Sequence, residues 1–154
     1  MIKGINISHV WVFDQEEALD FYVGKLGLEV SADVDFGPMR WLTVRPKGQP
    51  EREILLELVA PPSVDPDAAE KIRELVAKGA SGFTVGFTTD DARGLCEELR
   101  AKGVTIREEP EERPYGIDFA IRDPFGNHIR IVEQRPFQMP ADWEGTVADA
   151  PSGD

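Results

Sequence analysis

The feature that most constrains this chain is an internal repeat. Asp14 stands thirteen positions before Gly27 and Asp90 stands thirteen before Gly103, while Leu19 corresponds to Leu95 and Val30 to Ile106, all at a shift of 76. An acidic cap, an apolar core position and a terminal glycine at the same spacing describe one helix written twice. Around each copy the pattern is strand-like. Ile5, Ile7, His9, Trp11 and Phe13 alternate with Asn6, Ser8, Val10 and Val12 ahead of a helix over 14–25, and strands are predicted at 28–32, 39–44 and 53–59. The second half reads likewise, with strands at 83–88, 104–107, 116–121 and 128–133 and a helix over 90–102. The chain is therefore predicted to be an α+β protein of two tandem βαβββ modules, since one such unit cannot cover its own apolar face.

Residues 1–135 form one domain in this reading, with module one at 4–60, a connector with a short helix (68–77) at 61–82 and module two at 83–135. The last stretch, 136–154, is an acidic, Pro-rich tail in which Phe137, Met139 and Trp143 are candidates to dock on the body or on a second subunit. Charge narrows the partners. Seventeen basic against 29 acidic residues leave a net charge of −12, which repels nucleic acid and anionic membranes. No apolar run approaches the roughly 18 residues of a membrane span, and the N-terminus lacks a signal-peptide pattern. With Cys96 the only cysteine, on a predicted helix and without a nearby His, the chain is expected to be cytoplasmic and the thiol structural. Gly79, Gly82 and Gly86 do not make a phosphate loop.

Asp14-Gln15-Glu16-Glu17-Ala18-Leu19-Asp20-Phe21-Tyr22-Val23-Gly24-Lys25-Leu26-Gly27, followed much later by Asp123-Pro124-Phe125-Gly126-Asn127, resembles the vicinal oxygen chelate superfamily of glyoxalase I, extradiol dioxygenases, fosfomycin-resistance enzymes and bleomycin-resistance proteins. The likeness runs over residues 5–134. It implies that the mixed sheets curl around a cavity, and that metal-using members carry one ligand on the first and last strand of each module. Here those positions are Ile7, Glu57, Thr84 and Arg130. Only Glu57 is a good ligand, because Ile7 has no lone pair, Thr84 is weak and Arg130 is a fixed cation. No metal or other cofactor is therefore expected, and a Glu57–Arg130 ion pair is expected in its place. The alternative is a displaced divalent metal on His9, His128 and Glu57, a 2-His-1-carboxylate set.

The same resemblance places Phe36, Met39 and Trp41 on the loop and strand overhanging the cavity, and Tyr115 before the matching strand of module two. Trp11 and His9 share the face of Ile7, and His128 that of Arg130. His9, Trp11, Phe36, Met39, Trp41, Glu57, Thr84, Tyr115, His128 and Arg130 are thus the candidate lining of a small-molecule pocket. The leading expectation is a metal-independent, resistance-type protein that sequesters an aromatic or antibiotic-like ligand and forms a homodimer. The alternatives are a glyoxalase-like lyase or isomerase, or a dioxygenase-type enzyme, with a displaced metal site; a metal-free enzyme using Glu57 or His9 as general base; and a partner-binding module with a vestigial cavity.

Overall fold

The computed structural model describes residues 1–142, 144 and 145. The first module contains β1 (Ile7–Val12), α1 (Gln15–Leu19), β2 (Glu29–Asp35), β3 (Arg40–Arg45) and β4 (Glu53–Leu58). A connecting helix, α2 (Pro66–Ala77), leads to β5 (Phe83–Thr88), α3 (Ala92–Ala101), β6 (Thr105–Arg113), β7 (Gly116–Arg122) and β8 (His128–Gln134). Each module forms a four-stranded mixed sheet, ordered β1-β4-β3-β2 and β5-β8-β7-β6, with only the β1–β4 and β5–β8 pairs parallel. This is the α+β fold of two βαβββ modules expected from the repeat. Relative to the sequence reading, β1 begins at Ile7 rather than Ile5, and β6 extends to Arg113, carried past Glu108 by two register shifts against β7.

The helix repeat holds, with one correction. Asp14 caps α1 by accepting a hydrogen bond from the Glu17 N–H, but α3 is capped by Asp91, whose carboxylate accepts from the Gly94 N–H at 2.8 Å. Asp90, the residue matched by counting, lies outside the helix. The terminal glycines still correspond, both with φ of 79°, so the first helix spans one residue more between cap and stop. A π-helical turn over Asp20–Lys25 absorbs it, closed by the Leu26 N–H donating five residues back to the Phe21 carbonyl. Within that turn two adjacent aromatics, Phe21 and Tyr22, are both buried.

Alternation along the strands sorts the side chains into two faces. Val10, Val12, Leu42, Val44, Ile54 and Leu56 of the first sheet and Ile117, Phe119, Ile121, Ile129 and Ile131 of the second join Ala18, Phe21, Tyr22, Cys96 and Leu99 in one continuous core. The helix-bearing sides of both modules thus meet each other. Cys96 is buried there, and burial pushes its thiol up, as an inert core residue requires.

The two motifs that carry the family resemblance form one interlock at this junction. The Tyr22 hydroxyl donates to Asp123 Oδ2 at 2.7 Å across the module boundary. Asp123 Oδ1 accepts from the backbone N–H groups of Phe125, Gly126 and Asn127, and Asn127 Nδ2 donates both to Asp123 Oδ2 and to the Trp11 carbonyl. Phe13 and Phe125 pack alongside, with ring centroids 5.3 Å apart. Burial, then the Asp123 charge, raises the Tyr22 phenol well above its ordinary range, so it remains a donor. Gly126 completes the turn at φ 111°, where a Cβ would lie 2.3 Å from the Val76 carbonyl oxygen at the end of α2. Gly126→Ala meets backbone on one side and strain on the other, and is expected to lower the unfolding free energy in urea by roughly 1–3 kcal/mol.

Candidate functional site

The sheet faces turned away from the shared core carry the expected site residues. On the first module, β1 and β4 run parallel with His9 beside Leu55 and Trp11 beside Glu57. β3 pairs Thr43 with Leu55, so Trp41, two residues on, shares that face. His9 Nε2 lies 3.4 Å from Glu57 Oε2, and the His9 ring stands edge-on to Trp11 with centroids 4.4 Å apart. Trp11 and Trp41 are half-buried, whereas Phe36, at the β2–β3 hairpin, is 60% exposed and donates its N–H to the carbonyl of Met39. A carboxylate, an imidazole and two indoles thus converge on one open surface. The arrangement can stack a flat ring and hydrogen-bond its edge.

On the second module the pairing differs from expectation. Arg130 donates through Nε and Nη2 to Asp118 Oδ2, at 3.0 and 2.7 Å, and through Nη1 to Glu108 at 3.1 Å. The Tyr115 hydroxyl donates to the same Asp118 oxygen at 2.7 Å. The expected Glu57–Arg130 pair is therefore corrected: each residue finds its neighbours within its own sheet, Glu57 beside His9 and Arg130 bonded to Asp118 and Glu108. The reason is topological. Repeat symmetry says which strand positions correspond, but inside one chain the sheets meet through their helix sides, which turns these faces apart. Thr84 falls at the irregularity between Phe83 and Val85 in the β5–β8 pairing, and His128 pairs with Phe83 across that strand and with Arg122 across β7.

The displaced metal set is not assembled within the chain. His9 and Glu57 are adjacent, but His128 lies on the other module, and among the described residues only Cys96, Glu97 and Glu109 bring three ligand residues within reach of one another. That trio is filled by Arg100, whose Nη2 contacts Glu109 and the Cys96 sulfur. Ile7 and Arg130 at the family's ligand positions cannot coordinate, so the donor set does not fit the family's metal. A cleft of about 790 Å³ does exist, lying between the modules and bordered by Leu28, Ile54, Val85, Phe87, Leu99 and Ile131; it contains none of the expected site residues.

A family model for the glyoxalase/bleomycin resistance protein/dioxygenase superfamily matches residues 4–131. The chain belongs to this superfamily. It is 34% identical over 131 residues to the Bacillus subtilis (strain 168) protein YurT, covering 84% of this chain and 98% of that protein. Among solved structures, UcmS2 superposes with a TM-score of 0.82 at 38% identity, covering 87% of this chain and all of that one. TnmS3, an antibiotic binding protein from Streptomyces sp. CB03234, superposes with a TM-score of 0.69 at 30% identity, over 87% and 98% of the two chains.

Several site residues escape sequence reasoning. Asp118 is 3% exposed, and its only signal is an acid at an alternate position of the otherwise apolar run Gly116-Ile117-Asp118-Phe119-Ala120-Ile121. Glu108 reads as half of a solvated Glu-Glu pair, yet it holds Arg130. Trp143 lies outside the described residues, while Phe137 and Met139 are exposed. No helix among the described residues is long and apolar enough to cross a membrane.

Burial, and after it the guanidiniums of Arg107 and Arg130, hold the His128 imidazole below its ordinary range. With the folded value below the unfolded one, near about 6.5, the neutral ring contributes stability that is present above the unfolded value. That contribution is lost as pH falls through the interval down to the folded value. The unfolding free energy is thus expected to fall on going from about pH 7 to about pH 5, and to fall less in His128→Gln.

Proposed function

We propose that this chain is a metal-independent binding protein that sequesters a flat aromatic, antibiotic-like molecule on the face formed by His9, Trp11, Trp41 and Glu57. The observation that carries this reading is the Glu57 carboxylate set beside His9 and across the ladder from Trp11, whose indole stands edge-on to the His9 ring, on a face that Trp41 shares. Stacking on Trp supplies affinity for any planar ring, and the Glu57–His9 pair supplies direction for one polar edge. The likeness to TnmS3, an antibiotic binding protein, supports the same class.

The working unit in this reading is a homodimer. Within one chain the two residue sets lie on separate faces, with exposed apolar groups at their margins, including Val34 and Phe36 on one and Phe83 and Tyr115 on the other. A second copy would cover this apolar surface and set a second-module face, with Arg130, Tyr115 and His128, against the first-module face of its partner. Sedimentation equilibrium together with a thermal-shift screen of intercalating, enediyne-type, peptide and glycopeptide antibiotics tests both parts. A dimer stabilised by planar aromatic members of that panel is expected; a monomer unmoved by all of them contradicts the reading.

The His9–Glu57 contact also gives the enzymatic alternative a specific form, a carboxylate-oriented imidazole acting as base without metal. Glu57→Gln separates the two. Turnover of a substrate abolished with binding retained would favour the enzyme.

A further inference from the structure

His128 Nε2 is buried yet has no hydrogen-bond partner among the described residues, an arrangement that is costly in a finished core and that a ligand relieves. Its surroundings are basic in a chain of net charge −12. Arg122 is the cross-strand neighbour of His128, and Arg107 and Arg130 lie within electrostatic reach of the ring. Arg130 is neutralised by Asp118 and Glu108. Arg107 and Arg122 take part in no ion pair among the described residues. Arg122 is nonetheless held in place, since Nη1 donates to the Gly126 carbonyl and the guanidinium lies over Gly79, where a Cβ would come within 1.8 Å of it. Three guanidiniums against two carboxylates leave a local positive excess, opposite in sign to the molecule as a whole.

Beside this group stands Phe83, which pairs with His128 across the β5–β8 ladder, with ring centroids 6.2 Å apart. Its ring lies over Gly86, whose missing side chain makes the room: a Cβ there would be 3.0 Å from the Phe83 ring. Phe83 is 59% exposed, so it can swing without disturbing the core, and it offers an apolar surface beside the charges.

We propose that the start of β8 is a binding site for an oxyanion, a carboxylate or phosphate borne by a small ligand, received by Arg107, Arg122 and the free Nε2 of His128, with Phe83 moving aside to admit it. A charge-assisted pair from guanidinium to oxyanion is about twice as strong as a neutral hydrogen bond, and Nε2 gains the partner it lacks. This assignment rests on the proposed binding role only in sharing the second-module face. It adds that the ligand carries an acidic group.

The test uses the full chain, 1-naphthoate, its neutral counterpart naphthalene-1-methanol, and inorganic phosphate. The sequence contains two histidines, so NMR of the imidazole ring signals, assigned with His128→Phe, reports this site separately from His9. Naphthoate or phosphate is expected to shift the His128 signals, and phosphate, which has no ring to stack on Trp11, is expected to leave His9 in place. Arg107→Gln, an exposed position, is expected to weaken that binding by about tenfold or more with thermal unfolding unchanged. Phosphate alone would identify a phosphoryl ligand, and naphthoate alone an aromatic acid. If His128 does not respond to about 10 mM of either anion, or Arg107→Gln binds as the parent does, the assignment is overturned. Equal binding of naphthalene-1-methanol and naphthoate also overturns it, while leaving the aromatic-binding reading standing.

Discussion

Asp123→Ala is expected to be among the most damaging single substitutions in the molecule, lowering the unfolding free energy by about 3–5 kcal/mol. The carboxylate accepts from three backbone N–H groups, the Tyr22 hydroxyl and the Asn127 amide, and it is 5% exposed. Alanine removes the shared acceptor of all five donors in a place water does not reach, and only the Gly126 N–H, which also donates to the Asp123 carbonyl, and the Asn127 amide, which also donates to Trp11, keep another partner. It also loosens the Asn127 link to the Trp11 backbone, so the damage spreads from the turn to the module boundary and to the strand that carries His9. For a chain of this length the loss corresponds to a fall in Tm of about 10 °C. Tyr22→Phe removes one donor together with its need and is expected to cost only about 1 kcal/mol. Denaturant titration of both variants checks the contrast. A loss below about 1 kcal/mol for Asp123→Ala would mean that the interlock does not join the modules.

Asp118→Ala is expected to cost about 2–4 kcal/mol and to release Arg130 from its place on the second-module face. The size follows from asymmetry: Asp118 is buried, while the Arg130 side chain is 25% exposed and can partly rehydrate when its partner goes. Tyr115 loses its acceptor in the same step. Replacing both charges with apolar groups of similar volume, as in Asp118→Leu with Arg130→Met, is expected to recover most of the loss, because a buried pair repays little beyond its own desolvation. A double variant less stable than Asp118→Ala alone would show that the pair itself stabilises the sheet. Either single change should also alter ligand binding wherever Arg130 takes part.

The sequence made the fold legible because its information is local and periodic. Strands at period two, terminal glycines and a repeat at one spacing point to the same two modules, and the elements form where these signals place them. Asp90 failed as a cap because Asp91 beside it is equally able, and only backbone geometry distinguishes neighbours of the same type. The π turn in the first helix hid the difference by absorbing one residue. The site was legible as residues but not as contacts. His9, Trp11 and Glu57 share a face because alternation and register require it. A Glu57–Arg130 pair follows from symmetry between modules, and symmetry carries no information on which faces of the two sheets meet. Asp118 and Glu108 were missed for a related reason: one acid in an apolar strand and one in a charged run look unremarkable until cross-strand packing places them around Arg130.

The most direct measurement for the account is a calorimetric titration of chelator-treated protein with a planar polycyclic antibiotic, run in parallel on Trp11→Ala. Binding at micromolar or tighter Kd, unaffected by removing metal and weakened at least about tenfold by Trp11→Ala, is the predicted result. Binding that appears only after iron, manganese, nickel or zinc is added back, or that is indifferent to Trp11, would contradict it.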